Sequence, residues 1–430
     1  MTEPSTSQRE QRHAERRFDI EVKRHLTRNF ISHLIHGMLG QTGFRLLNTP
    51  TFLPAYILLL SNGSDFLVGL AIALQSLGAA ITPFFGASLI EHRKKALPVA
   101  MQVGTATRIA ALIIAVAGLV LSPQWALLVI LIALIAFGMF QGMQGVVFQF
   151  IMSKVIPVSR RGRLTGLRNF SAGIAAAGVA WLGGQWFIGD TPTIAGYSYI
   201  FLVAFVLTSL GLAALLFIRE PESPIVRERT KKGVDWARIP FLLRSDKPYR
   251  RYVTARSVAN LGRLAMPFYI LYAADHTLLT GANLALLTIA FTLAGSSSNL
   301  LWGNIADRAG YRRVILWSLA LWVVSTLALF VTEGVWLTSL VFVGIGAASQ
   351  GFQNAASNIV LEFGAREDVP MRLAISNSSY ELAGTIATLS AGLVATALGY
   401  EAVFILSITF LLIGAFLVRR HVPDPRHRSA

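Results

Sequence analysis

Apolar residues in this chain fall into continuous blocks of about 20 or more, separated by short polar clusters. The blocks are unbroken rather than alternating, so they read as helices and not as barrel strands. A hydrocarbon core of ~30 Å takes about 20 helical residues to cross. The pattern predicts twelve spans: 30–60, 66–89, 96–121, 125–152, 163–188, 197–218, 252–274, 281–306, 312–332, 336–361, 372–397 and 400–420. The expected fold class is an all-α membrane protein of twelve transmembrane helices.

The blocks also repeat. Gln141-Gly142-Met143-Gln144 recurs 209 residues later as Gln350-Gly351-Phe352-Gln353, and Arg163-Leu164 recurs at the same offset as Arg372-Leu373. Leu53-Pro54-Ala55-Tyr56-Ile57-Leu58 has its mate in Met266-Pro267-Phe268-Tyr269-Ile270-Leu271. One six-span bundle copies the other, and parallel copies build a shared site at their seam. The expected organisation is a tail over 1–29, a first bundle over 30–218, a linker over 219–251, a second bundle over 252–420 and a tail over 421–430. Pro221, Pro224, Pro240 and Pro248 break the linker and leave room for a short surface helix such as 234–244.

Composition agrees with lipid as the solvent: 54% of residues are apolar and 14% charged, against about a quarter charged in soluble domains. Mean hydropathy is +0.57. A net charge of +16 raises nucleic acid as a partner, but its placement argues otherwise. Of 38 Lys and Arg, 33 lie in the tails, in the linker or in the loops on the linker's side. The alternate loops hold none, and carry Asp65, Asp190, Asp275, Glu333 and Glu401. That asymmetry predicts cytoplasmic termini in a cell (inner or plasma) membrane and a basic face suited to anionic lipid. Residues 1–28 lack an apolar stretch, so the first span is expected to act as an uncleaved signal. Phe18, Val22 and Leu26 could form a helix on the membrane surface; a disordered tail is the alternative. With no cysteine, disulfides and thiol chemistry drop out.

The most specific local signal is Gly303-Asn304-Ile305-Ala306-Asp307-Arg308-Ala309-Gly310-Tyr311-Arg312-Arg313 between spans 8 and 9. With the span count, the repeat and the basic central loop, it resembles the signature loop of the major facilitator superfamily. The resemblance covers residues ~30–420 by span count. It implies secondary transport by alternating access, with spans 1, 4, 7 and 10 lining a cavity. Gly303, Asp307, Arg308, Gly310, Arg312 and Arg313 would gate the cytoplasmic side, though a solvated turn is the plainer alternative. The first copy is eroded: Gly86 is followed by Glu91, Arg93, Lys94 and Lys95, with no Asp-Arg pair. Gln141-Gly142 resembles part of a motif of proton–drug exporters, but Gly138 stands where they carry arginine. Val179-Ala180-Trp181-Leu182-Gly183-Gly184 likewise lacks their first glycine and proline.

A charge at bilayer depth costs at least ~2.5–3.5 kcal/mol, so each one is a functional candidate. Arg45, Arg108 and Arg263 lie deep in spans 1, 3 and 7. Arg168 and Arg256 lie within ~7 Å of a span end and are expected to snorkel. Glu381, about 13 Å beyond Arg372, is the only carboxylate inside a span. A desolvated carboxyl can hold and release a proton, which suits coupling to a proton or ion gradient; an ion pair tying two helices is the alternative. Arginines in excess of carboxylates would favour an anionic substrate, unless each bonds helix-end carbonyls or headgroups. Gln350, Gln353, Asn354, Ser357 and Asn358 share one face of span 10, and Gln141 and Gln144 one face of span 4. These amides could line the cavity or bond neighbouring helices. Asn48, Tyr56, Asn260, Tyr269 and Tyr272 are weaker cavity candidates. Pro54 and Pro267 should kink spans 1 and 7 alike. Gly173, Gly178, Gly384 and Gly392 read as close-packing surfaces.

Other signals carry less. Gly344-Ile345-Gly346-Ala347-Ala348-Ser349 follows no strand, so it cradles no phosphate. His33 and His36 lack a third ligand and are expected to face headgroups, with no metal. Asn62-Gly63-Ser64 fits a glycosylation pattern but hugs the membrane. The reading is a transporter for a small solute, with a coupling ion and lipid as partners. Neither cofactor, enzyme chemistry nor nucleic acid is expected, and the protein is expected to be monomeric. A transporter-like sensor or scaffold is the alternative.

Overall fold

The computed structural model describes residues 16–48, 52–90, 92–223, 236–276, 280–363 and 369–422. Every regular element among the described residues is helical. Span 1 comprises Leu26–Asn48 and Phe52–Leu60, span 2 Asp65–Ile90, span 3 Leu97–Val120 and span 4 Pro123–Val155. Span 5 is Val158–Gly183 extended by a π turn, Gly184–Ile188; span 6 is Ile194–Ala214. Span 7 runs through Lys247–Leu261, a 3-10 turn Gly262–Ala265 and Phe268–His276. Spans 8, 9 and 10 are Gly281–Ala309, Tyr311–Leu329 and Gly334–Ile359. Spans 11 and 12 form one helical run, Val369–His421, broken only at Gly399.

Local chemistry accounts for the ends. Pro123 opens span 4, where a missing N–H costs nothing. Thr193 and Thr280 cap spans 6 and 8 through their side-chain oxygens. The backbone reverses at Gly310 and Gly399 with φ of +84° and +82°, a conformation strained for residues that carry a side chain. Span 7 is interrupted just before Pro267, as the proline predicts; the corresponding stretch before Pro54 in span 1, residues 49–51, lies outside the described residues.

Among the described residues, eight helices are long and apolar enough to cross a bilayer by length and composition alone. One of them, Met371–His421, contains both spans 11 and 12. Spans 1, 5 and 7 account for the rest: 1 is described as two pieces on either side of residues 49–51, 7 is broken by a 3-10 turn, and 5 carries Arg160, Arg161, Arg163 and Arg168. The bundle's outer surface is apolar, with Leu300, Val331, Trp336 and Leu398 all more than 65% exposed. Such a surface fits lipid rather than water.

Within the first six spans, 2 and 3 pack on 4, and 1 on 5 and 6; within the last six, 8 and 9 pack on 10, and 7 on the 11–12 run. The two bundles meet where span 2 lies on span 11 and span 5 on span 8. Glycines set these crossings. A Cβ at Gly69 would sit 2.7 Å from the Thr388 carbonyl and 2.8 Å from the Gly392 Cα. Gly173 abuts Ser296 across the second crossing, and Gly384 faces Arg263, Asn260 and Ser76; nothing lies within 4 Å of a Cβ at Gly178.

Gly138 faces the Gln75 carbonyl of span 2 so closely that a Cβ would overlap it. No arginine fits there, which accounts for the departure from the exporter motif. Gly138→Ala is expected to destabilise by about 1–3 kcal/mol through overpacking. Gly178→Ala should shift stability by less than ~0.5 kcal/mol. Thermal unfolding of the purified protein in detergent compares the two.

Two expectations shift. The linker helix is Arg238–Ser245, and residues 224–235 lie outside the described residues. Residues 16–24 are helical, but Val22 is buried against protein and Leu26 packs on the core of the first bundle.

Candidate functional site: a central cavity

A cavity of about 2120 Å³ lies between the bundles. Spans 1, 2, 4, 5, 7, 8, 10 and 11 supply most of its wall, and spans 3, 6 and 12 supply none among the described residues. Ser88, His92, Arg161, Trp236, Arg238 and Met371 lie at its rim on the linker's side. Trp236 packs on Phe84 of span 2, ring centroids 5.4 Å apart. The far end is shut: the Tyr400 hydroxyl donates to Asp65 Oδ1 (2.8 Å), and Gly281 N–H donates to the Gly189 carbonyl (2.6 Å). The cavity thus opens on the face that carries the linker.

The polar stripes converge on it. Gln350, Gln353, Asn354, Ser357 and Asn358 all line the wall. So do Gln141, Gln144, Gly145, Phe148 and Gln149, their mates at the 209-residue offset. Asn354 donates to Asn299 of span 8, and Asn358 Nδ2 to the Asn354 carbonyl (2.9 Å). Pro54 and Pro267 also reach the wall.

Arg45 and Arg263 line the cavity. Arg45 Nη1 donates to Ser296 Oγ at 2.6 Å, bridging spans 1 and 8 across the seam. Arg263 Nη1 lies 3.9 Å from Glu381 Oε2, with the side chains 29% and 26% exposed. Ser76 of span 2 is within reach of the same carboxyl. Tyr380 lies under two guanidinium groups, 5.0 Å from Arg256 and 5.4 Å from Arg263.

Arg108 is not on the wall. It is 2% exposed, donating to the carbonyls of Thr208 (3.0 Å) and Gly104 (2.8 Å) and to Gln144 Oε1 (2.8 Å). Phe44 covers it at 5.2 Å. Span 3 turns this side chain toward spans 4 and 6, so it braces the amide that faces the cavity. Tyr56, Asn260, Tyr269 and Tyr272 also miss the wall. Tyr56 pairs with Ser198 (3.1 Å), Tyr269 with Thr326 (2.8 Å), and Asn260 donates to the Tyr380 carbonyl (2.7 Å). The side chain of Asn48 lies outside the described residues.

Arg168 and Arg256 do not snorkel to headgroups: both reach the wall. Arg256 donates to Ser376 and, at 3.4 Å, to Asn377. His33 and His36 are buried on the wall as well, 2% and 7% exposed, and do not face headgroups. His36 Nδ1 bonds the Gly211 carbonyl at 2.9 Å. No cluster of three metal-ligating side chains occurs among the described residues.

In the signature loop, Gly303 lines the cavity and Gly310 makes the turn. Arg308 and Arg313 are exposed. Arg312 Nη2 donates to the Arg419 carbonyl (2.6 Å) and Nε to that of Val418 (3.5 Å), meeting the negative end of span 12. The side chains of Asp307 and Glu91 lie outside the described residues.

Both halves match one family model, described as Major Facilitator Superfamily, over residues 37–260 and 252–430. Solved structures with the same architecture include the xylose transporter XylE from E. coli in a partially occluded inward open conformation. It has a TM-score of 0.70 and 13% identity, covering 93% of this chain and 98% of that one. The nucleoside transporter NupG aligns with a TM-score of 0.66 and 13% identity, over 92% and 100%. The human organic anion transporter MFSD10 (TETRAN) aligns with a TM-score of 0.65 and 13% identity, over 91% and 99%. No curated protein matches the chain.

Proposed function

This chain belongs to the major facilitator superfamily, and from that premise we propose that it carries a small anionic solute across a membrane by alternating access. The observation that carries the reading is the charge on the wall. Arg45, Arg161, Arg168, Arg238, Arg256 and Arg263 line the cavity, and Glu381 is its single carboxylate among the described residues. Cations around a low-dielectric cleft concentrate anions there. A neighbour of the same fold, MFSD10, is described as an organic anion transporter.

Arg45 and Arg263 would hold the anion, with Gln141, Gln350, Gln353, Asn354 and Asn358 shaping its neutral part. Arg108 would position Gln144. Glu381, 3.9 Å from Arg263 and at the span 2–11 crossing, is where a proton or ion would couple to the substrate. The bundles over 30–218 and 252–420 would rock about the seam, with 219–251 as their tether. Gly303, Asp307, Arg308, Gly310, Arg312 and Arg313 would close the mouth when the far end opens. The basic tails and linker favour a cytoplasmic mouth in a cell (inner or plasma) membrane. The chain would work as a monomer.

Flux into proteoliposomes tests the reading with mono- and dicarboxylates, phosphate esters and neutral sugars of matched size. Anions should cross in preference to neutral solutes, and Arg263→Gln should abolish that preference. A preference for neutral or cationic solutes, or binding without movement, would overturn it.

A further inference from the structure

Span 1 and span 5 make a second feature near the mouth that the deep site does not use. Gly37 lacks a Cβ, and the aliphatic part of Arg168 fills that space; a methyl group there would overlap its Cγ and Cδ. Arg168 is therefore threaded across span 1 beside His33 and His36, close enough for its charge to act on both rings. His36 is occupied by the Gly211 carbonyl. His33 Nε2 and Arg168 Nε are both buried and have no hydrogen-bond partner among the described residues. Both residues line the cavity, and His33 is 2% exposed.

A buried guanidinium N–H and a buried imidazole nitrogen left unsatisfied are costly, at about 1–3 kcal/mol each, unless a ligand bonds them, and His33 Nε2 donates when the ring proton sits on that nitrogen. Among the described residues, Glu381 is the cavity's only carboxylate, and it is engaged with Arg263. An oxyanion supplies two acceptor oxygens and a charge opposite to that of Arg168. Span 1 places His33 twelve residues from Arg45, about 18 Å along the axis, so the two positions are separate stations.

We propose that His33 and Arg168, in the slot opened by Gly37, form a mouth-side binding station for the carboxylate or phosphate group of a ligand. It rests on the anionic reading of the cavity and adds a first stop for the anion on its way to Arg45 and Arg263. The same chemistry could come from a soluble anion or from the headgroup of an anionic lipid reaching in through the mouth.

The test uses the full-length purified protein and inorganic phosphate as probe, read as thermal stabilisation. One arm is lipid-free detergent, and the other is nanodiscs of phosphatidylcholine with or without phosphatidylglycerol. Stabilisation by phosphate in detergent assigns the station to soluble anions; stabilisation by phosphatidylglycerol alone assigns it to headgroups. In either case Arg168→Gln and His33→Gln should weaken the effect about tenfold, the loss of one charge-assisted bond. Gly37→Ala should do the same by displacing Arg168 while leaving both ligating groups in the sequence. No stabilisation in either arm overturns the station. Stabilisation abolished by Arg263→Gln but untouched by the three span 1 and span 5 variants overturns the station and leaves the anionic cavity standing.

Discussion

Glu381→Gln is expected to abolish uphill accumulation while leaving exchange of substrate across the membrane intact. The glutamine keeps the shape of the side chain but can neither take up a proton nor balance Arg263, 3.9 Å away. In a carrier driven by a gradient, that separates the two activities: exchange needs only the rocking motion, whereas accumulation needs an ion to ride with it. The expected readout is counterflow near the wild-type rate, with concentrative uptake reduced to the level of a collapsed gradient and independent of external pH. Accumulation that persists in Glu381→Gln with its pH profile unchanged would remove this residue from coupling. Arg263→Gln is the companion, because it leaves the carboxyl without its counter-ion; it should weaken substrate binding as well as coupling.

The second large effect concerns stability. Glu220, just past span 6, is enclosed under the first bundle: its carboxylate accepts from the N–H groups of Ala96 and Leu97, both at 2.8 Å, and pairs with Lys154 Nζ at 2.7 Å. The side chains are 2% and 4% exposed. Lys154 also donates to the Lys94 carbonyl at 2.6 Å. Glu220→Ala strands a buried ammonium and uncaps span 3 together, so a loss of about 3–5 kcal/mol is expected. Removing both charges, with Lys154→Met and Glu220→Gln, should recover part of it. Glu222, paired with Lys95 at 3.5 Å, is the contrast: its pair is more than half exposed, and Glu222→Ala should cost less than ~1 kcal/mol. Thermal unfolding of the three variants in detergent checks the ranking, and equal losses at 220 and 222 would show that burial is not the cause.

Much of this architecture is legible from the sequence because lipid leaves few choices. A run of apolar residues must be helical to satisfy its backbone, so span number and order follow from hydropathy. The span 10 stripe is legible too, since five polar residues on one helical face have to point somewhere polar. The repeat extends that signal further than the amides alone suggest: Gln149 is the mate of Asn358, and both line the cavity. What escapes is azimuth. Arg108 lies at the right depth, yet the rotation of span 3 aims it at Thr208 and Gln144. For Arg168, depth suggests a side chain reaching for headgroups, whereas it lies in the slot at Gly37 on the cavity wall. His33 and His36 follow the same logic. The pairing of Lys154 with Glu220 joins residues 66 apart in sequence and has no local signature at all.

Gly310 has a mechanical consequence. It is the single residue between spans 8 and 9, and two residues later Arg312 grips the final carbonyls of span 12. Span 8 in turn rests on span 5 of the opposite bundle. A tilt of span 8 is therefore levered directly onto spans 9 and 12, with no slack loop to absorb it. The second bundle should turn as one solid crank, so probes on these three helices ought to report the same angle at the same instant.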